Sequence, residues 1–177
     1  MRYRRSNTEG GTYFFTVNLA DRTSDLLVRH ADILRTVMHN VKRYHPFDIT
    51  AMVVLPDHLH AIWRLPDGDR DYPVRWSLIK AGFSRALAKT ECINTSRQHK
   101  RERGIWQRRY WEHEIRDDLD LSRHVDYIHI NPVKHGYVKI AAAWPYSSIH
   151  RYIRDGLITE TWTVDVKCNH MNVGDNE

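Results

Sequence analysis

The spacing of apolar side chains follows two different periods along the chain, and these periods divide it into strands and helices. Aromatic and β-branched residues fill Thr12–Leu19, which is typical of a strand. Over Ala31–Tyr44 an apolar residue recurs at four-residue spacing, which predicts a helix. The other predicted elements are, in chain order, strands at Phe47–Leu55 and His58–Leu65, a helix at Val74–Lys89, a strand at Ile105–Arg116, and helices at Asp118–Ile130 and Tyr146–Ile153. This order predicts an α+β fold, a ferredoxin-like βαββαβ sandwich with an antiparallel sheet and an added C-terminal helix.

Length and composition fit one globular domain. The 177 residues are 41% hydrophobic and 28% charged, which excludes a wholly disordered or fibrous chain. Apolar runs are no longer than five residues, as in Ala51–Leu55, and the mean hydropathy is −0.63, so no membrane span is expected. Two cysteines make no disulfide framework and the N-terminus lacks an apolar signal segment, so we expect a cytoplasmic protein. We expect a single domain over 1–177, with its core at about 10–155 and a flexible tail at 163–177.

The charge balance points to an anionic partner. Lysine and arginine number 27 against 22 acidic residues, which gives a net charge of +5, and the chain also has 12 histidines. Phosphate attraction is the sequence-independent part of nucleic-acid binding, so nucleic acid is the expected partner. A basic surface that serves only solubility remains the alternative.

The third predicted strand begins with two histidines, His58 and His60. Because side chains alternate along a strand, both imidazoles lie on one face, with Leu59, Ala61 and Trp63 on the other. Two imidazoles placed in this way can share one metal ion. A pair of half-buried strand histidines without a metal is the alternative.

The helix after the fourth strand carries a polar stripe. At about 100° per residue, a sector roughly 60° wide contains Asp120, His124, Tyr127 and Asn131. Its apolar flanks are Leu119 and Ile130 on one side and Leu121, Val125 and Ile128 on the other, while Ser122, Asp126 and His129 lie on the opposite, solvent-like face. A polar stripe between apolar flanks is expected to face inward, and buried polar groups need partners. The stripe therefore predicts a metal site or a polar substrate.

Within the stripe, Tyr127 and Asn131 lie one helical turn apart. An ion held by the amide oxygen of Asn131 would lie beside an electrophile facing the Tyr127 phenol. A phenol has an unperturbed pKa of about 10, so it needs a nearby base or cation to act as a nucleophile. Two alternatives stay open: Tyr127 as a core residue, and Asn131 as the cap of a new turn that begins at Pro132.

Four motifs, in this order and spacing, carry a family resemblance: VVLPDHLHAIW, IWQRRYWEHEIR, HVDYIHINPVKHGYV and WPYSSIHRY. They resemble the HUH single-tyrosine transposases, and among these the REP-associated tyrosine transposases, whose chains are of this size. The segment GGTYFFTVNL fits the same branch, so the resemblance covers about residues 10–155.

The resemblance implies a set of roles. His58 and His60 match the HUH histidines that bind catalytic Mg²⁺ or Mn²⁺, and Asn131 occupies the position of the third ligand, where some relatives carry Gln. Tyr127 matches the nucleophile that is carried by the added helix. The implied activity is cleavage and rejoining of single-stranded DNA beside repetitive extragenic palindromic (REP) hairpins. The protein would be joined to the 5′-phosphate through Tyr127, and a free 3′-hydroxyl would be left.

Several further expectations concern partners. Arg4, Arg5, Arg108 and Arg109 are expected to follow the phosphate backbone. Trp106, Tyr110 and Trp111 offer faces on which unpaired bases can stack, although a strand must bury some of them. A monomer is favoured and a dimer is possible, and the protein is expected to associate with the nucleoid.

Two other classes of function fit the sequence less well. A hairpin-binding module for DNA or RNA that has lost catalysis would have no need of the set His58, His60 and Tyr127. A phosphodiesterase that uses activated water would need more carboxylates near the histidines.

Overall fold

An antiparallel sheet is the centre of the fold in a computed structural model, which describes residues 8–89, 99 and 103–164. Over these residues the strands are β1 (Thr12–Asn18), β2 (Asp48–Val54), β3 (His58–Arg64) and β4 (Trp111–Glu114). Their order across the sheet is β2-β3-β1-β4, so the first and third strands are central. This order is that of a ferredoxin-like sandwich and confirms the predicted fold class.

Helices cover both faces of the sheet. In chain order they are α1 (Leu26–Arg29), α2 (Ala31–Tyr44), α3 (Tyr72–Ala86), α4 (Asp118–Lys134) and α5 (Ile149–Arg154), with a short 3₁₀ turn at Ala141–Ala143 before α5. The bounds of α2 agree with the prediction, whereas α1 was not predicted. Over the described part of the chain, no helix is both long and apolar enough to cross a membrane.

The alternation of side chains along β1 and β3 separates two apolar cores. Phe15, Trp63 and Trp76 belong to the larger core, which lies under α2 and α3. Phe14 and Ile62 belong to the smaller core, which lies under α4 and includes Tyr127. His58 and His60 share the α4 face with Ile62, as the two-residue period predicts.

Helix α4 is longer than predicted. It begins after Asp117, whose side chain accepts a hydrogen bond from the backbone N–H of Asp120 at 2.8 Å. The predicted end near Ile130 is wrong, because the helix continues through Pro132 to Lys134. Proline removes one backbone donor but does not stop a helix that is already about to end. Asn131 therefore remains helical, and its carbonyl accepts the N–H of His135 at 3.0 Å.

The fourth strand is much shorter than the predicted Ile105–Arg116. Thr16 of β1 pairs with Trp111, but Leu19, three residues further along, bridges to Trp106 five residues earlier. The segment between these two pairings is thus two residues longer than the matching part of β1, so it cannot keep the strand pairing throughout. It includes the exposed Arg108 and Arg109. An insertion of this kind is tolerated because β4 is an edge strand.

Two side chains of α4 contradict the predicted pattern of burial. Leu119 was predicted to flank the buried stripe but is 60% exposed, because it lies in the first turn, at the edge of the packed region. His129 was predicted to face solvent but is 1% exposed. It lies under the C-terminal segment, where its ring contacts the rings of Tyr152 and Trp162.

Candidate metal and nucleophile site

The two strand histidines lie side by side beneath α4. His58 is 2% exposed and His60 is fully buried, and their ring centroids are 5.0 Å apart. Both belong to β3, which is hydrogen-bonded on each side to another strand, so the backbone that carries them is held rigidly. The predicted pairing of the two imidazoles on one face is confirmed.

A neighbouring side chain orients each imidazole through its Nδ1 atom. Thr16 lies opposite His60 in the β1–β3 register, and its Oγ1 is 2.9 Å from His60 Nδ1. Asp57 Oδ1 is 2.8 Å from His58 Nδ1, while Asp57 Oδ2 pairs with Arg22 Nε at 2.8 Å. When Nδ1 is occupied in this way, Nε2 is the atom that can hold a ligand.

The pKa shifts of His60 and Asp57 favour the protonation states that metal binding requires. Burial holds the pKa of His60 well below its ordinary value, and the positive charges of His58, His135 and Lys134 act in the same direction. Burial alone would raise the pKa of Asp57, but its hydrogen bond with His58 and the nearby cations outweigh burial and lower it. His60 is thus neutral and Asp57 is ionised near neutral pH, as a metal-binding pair with a carboxylate partner requires.

Helix α4 carries Tyr127 and Asn131 on its buried side, over the face of the sheet that holds the two histidines. Both side chains are fully buried, and the Tyr127 ring centroid is 5.2 Å from that of His60. Lys134 Nζ lies 5.0 Å from the Tyr127 ring, so a positive charge accompanies the phenol. The inward direction predicted for the stripe is therefore confirmed for these two residues.

Four polar atoms of this site are buried without a hydrogen-bond partner among the described residues: Nε2 of His58, Nε2 of His60, and both the Oδ1 and Nδ2 atoms of Asn131. Each such group costs about 1–3 kcal/mol when it is left unpaired, so buried atoms of this kind fit a site that takes a ligand. Two imidazole nitrogens and an amide oxygen fit Mn²⁺. Mg²⁺, which prefers oxygen, also fits if substrate phosphate and water supply the other ligands.

The residues expected to contact DNA lie apart from this site or outside the described chain. Arg4 and Arg5 lie outside the described residues. Arg108 lines an open groove of about 770 Å³ between α3 and the segment before β4, and Arg109 follows it at the surface. Trp106 is 8% exposed and packs in the larger core, so its ring faces are not open for unpaired bases to stack on.

Sequence reasoning did not identify the groups that orient the histidines. Thr16 lies 44 residues from His60 in the chain, and only the strand register brings them together. Asp57 stands directly before His58, so a carboxylate next to a candidate ligand was the available signal. His135, whose ring centroid is 5.3 Å from that of His58, was also not singled out.

The fold and the site define a class: a ferredoxin-like domain in which a tyrosine on a helix faces two strand histidines. The chain is 48% identical over 164 residues to a REP-associated tyrosine transposase of Escherichia coli, and the matched region covers 93% of this chain and 92% of the relative. It is also 48% identical over 162 residues to a Haemophilus influenzae relative of the same family name, with 90% and 92% coverage. The chain therefore belongs to the REP-associated tyrosine transposases.

A solved structure supports the same assignment. A REP-associated tyrosine transposase bound to a REP hairpin matches with a TM-score of 0.88 and 45% sequence identity, over 100% of this chain and 98% of that one. No protein-family model matches the chain.

Proposed function

We propose that this transposase cleaves and rejoins single-stranded DNA beside REP-type hairpins through a covalent 5′-phosphotyrosine, with Mg²⁺ or Mn²⁺ as its cofactor. The observation that supports this most directly is that the Nε2 atoms of His58 and His60 and the amide atoms of Asn131 are buried without a hydrogen-bond partner among the described residues, while the Tyr127 ring lies 5.2 Å from that of His60. In this proposal Tyr127 is the nucleophile, and His58, His60 and Asn131 hold the ion. Family membership and the hairpin bound by the structural relative agree with this substrate.

The chemistry is a transesterification. The Tyr127 hydroxyl loses its proton to solvent water and attacks the scissile phosphorus, so a Tyr–O–P bond forms while the bond to the DNA 3′-oxygen breaks. The leaving 3′-oxygen takes a proton from water and becomes a hydroxyl, so no net proton is gained or lost. When bound, the divalent ion polarises the phosphate and offsets the charge that develops on it. The new ester retains the energy of the old one, so a DNA hydroxyl can reverse or redirect the reaction.

The positive charge of Lys134 supports Tyr127 as the nucleophile. A phenolate is favoured by a nearby positive charge, and the Lys134 ammonium lies 5.0 Å from the ring. Thr16 and Asp57 fix the orientation of the two imidazoles through their Nδ1 atoms. The rings therefore need not be ordered when the ion and the substrate bind, which avoids an entropic cost.

Covalent adduct formation tests the assignment. The protein is incubated with a labelled single strand that carries a REP-type hairpin and with Mn²⁺, and denaturing gels are expected to show a protein–DNA adduct. Tyr127→Phe should abolish the adduct with little change in hairpin binding, while the control Tyr152→Phe should retain it. His58→Ala should impair adduct formation, and added Mn²⁺ should restore it only in part.

Three outcomes would contradict the proposal. An adduct yield in Tyr127→Phe equal to that of the wild type would refute the nucleophile. Full activity in the presence of a chelator would refute the cofactor. Tight hairpin binding with no adduct under either metal would instead favour a non-catalytic hairpin-binding module.

We further propose that Tyr127 acts on the metal site of its own chain, because the Tyr127 and His60 rings of one chain are in contact. A mixture of Tyr127→Phe and His58→Ala proteins should then form no more adduct than the impaired His58→Ala protein forms alone. Recovery of adduct in the mixture would show that two chains share the site.

For the DNA contacts, we propose that Arg108 and Arg109 bind phosphates. Both are exposed at the insertion before β4. Arg109→Ala should weaken hairpin binding uniformly across sequences and reduce the slope of log K against log salt by about one. An unchanged slope would exclude Arg109 from the DNA interface.

A further inference from the structure

A second polar cluster lies on the α4 side of the sheet, apart from the His58 and His60 pair. It is formed by His113 of β4 with Asp120 and His124 of α4, and is called here the β4–α4 cluster. One ligand atom from each of the three side chains lies within 4.8 Å of the others. Over the described residues, this is the one group of three histidine, cysteine or acidic side chains that converges in this way.

The carboxylate of Asp120 lies between the two imidazoles. Its Oδ2 is 2.9 Å from His113 Nε2 and its Oδ1 is 3.1 Å from His124 Nδ1. The two rings are nearly parallel, with centroids 4.7 Å apart and an interplanar angle of 16°. The side chains are 19%, 20% and 6% exposed for His113, Asp120 and His124, so solvent reaches the cluster but most of its surface is dehydrated.

The β4–α4 cluster cannot share an ion with the catalytic pair, because a phenylalanine lies between them. The Phe14 ring centroid is 5.4 Å from that of His60 and 4.9 Å from that of His124. Phe14 is fully buried and pairs with His113 across β1 and β4, so its position is fixed. The two groups are separate sites on one face of the sheet.

We propose that His113, Asp120 and His124 bind a second divalent ion of the transition-metal class, such as Zn²⁺ or Co²⁺. Two imidazoles and one carboxylate form a ligand set that these ions prefer over Mg²⁺. In tetrahedral geometry with bonds of about 2.0–2.1 Å, neighbouring ligand atoms lie about 3.3 Å apart. The existing separations of 2.9 and 3.1 Å are close to that value.

Metal binding at the β4–α4 cluster requires that two ring protons move. His113 Nε2 donates to Asp120, and His124 Nδ1 donates to the backbone carbonyl of Asp120 at 2.8 Å, so metal binding must release or relocate both protons. Burial lowers the pKa of His124 and so favours a neutral imidazole. Burial would raise the pKa of Asp120, but the hydrogen bonds from His113 and the Arg116 N–H outweigh it and keep the carboxylate ionised.

Such an ion would join edge strand β4 to the first turns of the helix that carries the nucleophile. His124 precedes Tyr127 by one turn, and β4 has only four residues. The ion would therefore fix the position of α4 on the sheet without touching the reacting atoms.

Binding of Co²⁺ to the metal-depleted protein tests the proposal through visible absorption and stoichiometry. Wild-type protein should bind two ions per chain, and the His58→Ala/His60→Ala variant should bind one. In that background Asp120→Asn should weaken binding by at least about tenfold, whereas the exposed neighbour variant Asp118→Asn should leave it unchanged. Should the double variant fail to fold, the stoichiometry of Asp120→Asn alone, one ion against two, gives the same answer.

The proposal would be overturned if His58→Ala/His60→Ala bound no Co²⁺, or if neither Asp120→Asn nor His113→Gln changed the remaining site. Neither result bears on the Tyr127 adduct, which is measured separately. Conversely, a protein that forms no adduct but binds Co²⁺ at the β4–α4 cluster would refute the catalytic proposal alone.

Discussion

Replacement of Thr16 by valine tests whether a buried hydroxyl determines the metal-binding form of His60. Thr16 is 2% exposed, and its Oγ1 lies 2.9 Å from His60 Nδ1. For Nε2 to hold an ion, Nδ1 must carry the ring proton, and the Thr16 oxygen must accept it. Valine has nearly the same shape as threonine, so Thr16→Val removes this acceptor with little change in packing.

Two costs follow from the geometry. The buried Nδ1–H loses its partner, which costs about 1–3 kcal/mol of folding stability. The ring also loses the group that fixes its proton and orientation, and removal of such outer partners weakens metal affinity by about 10–100-fold. This range corresponds to about 1.4–2.8 kcal/mol in the free energy of Mn²⁺ binding.

Calorimetric titration with Mn²⁺ measures the second cost, and urea unfolding of the metal-free protein measures the first. Thr36→Val is a matched control, because Thr36 is exposed on α2 and its hydroxyl donates only to the Asp32 carbonyl among the described partners. The control should bind Mn²⁺ as the wild type does. An unchanged Mn²⁺ affinity in Thr16→Val would refute the role assigned to the hydroxyl.

Two other predictions concern Asp57 and His129. Asp57→Asn should weaken Mn²⁺ binding by about 10–100-fold in the same titration, because it removes the ionised partner of His58 Nδ1; retention of full affinity would contradict this. Burial, assisted by the charge of Arg151, lowers the pKa of His129 to about 4, below the value of about 6.5 for an unfolded chain. The unfolded state therefore binds the proton more tightly, and stability that is complete above pH 6.5 is lost as the pH falls towards 4. Urea unfolding should show this loss as about 2 kcal/mol between pH 7 and pH 5, and His129→Gln should reduce it; an identical pH dependence in the variant would exclude His129 as the source.

The fold and the direction of the polar stripe could be predicted because both depend on local periodicity. The two-residue period placed His58 and His60 on one face, and the helical period turned Tyr127 and Asn131 inward. These patterns specify which face a side chain occupies, whichever element later packs against it. The contact between Tyr127 and His60 follows once α4 covers that face.

The periodicity of the sequence could not predict where β4 stops pairing with β1. Aromatic and apolar residues occur throughout Ile105–Arg116, but β4 is limited to Trp111–Glu114 by its register with β1. Register depends on side chains far away in sequence and on the twist of the sheet, so an insertion at an edge leaves no local signal.

The burial of His129 shows a second limit. A helical wheel gives one inward face, and the sector that contains His129 was predicted to meet solvent. The segment after α4 returns across that sector, and Ser148 Oγ lies 3.0 Å from His129 Nε2. The same hydroxyl accepts the backbone N–H of Met52 on edge strand β2, so one serine connects α4 with β2. The burial of His129 depends on the path of the segment that follows α4. The periodicity of the helix sequence carries no information about that path.

Helix α4 carries both polar groups although a proline follows Asn131 directly. Proline removes the hydrogen bond to the carbonyl four residues earlier, which for Pro132 is that of Ile128. The chain nevertheless stays helical through Asn131, and the helix ends two residues after the proline, at Lys134. The Pro132 carbonyl accepts the Tyr137 N–H at 3.0 Å, which closes the last turn. The alternative in which Asn131 caps a new turn is thereby wrong, because its backbone continues the helix that carries Tyr127.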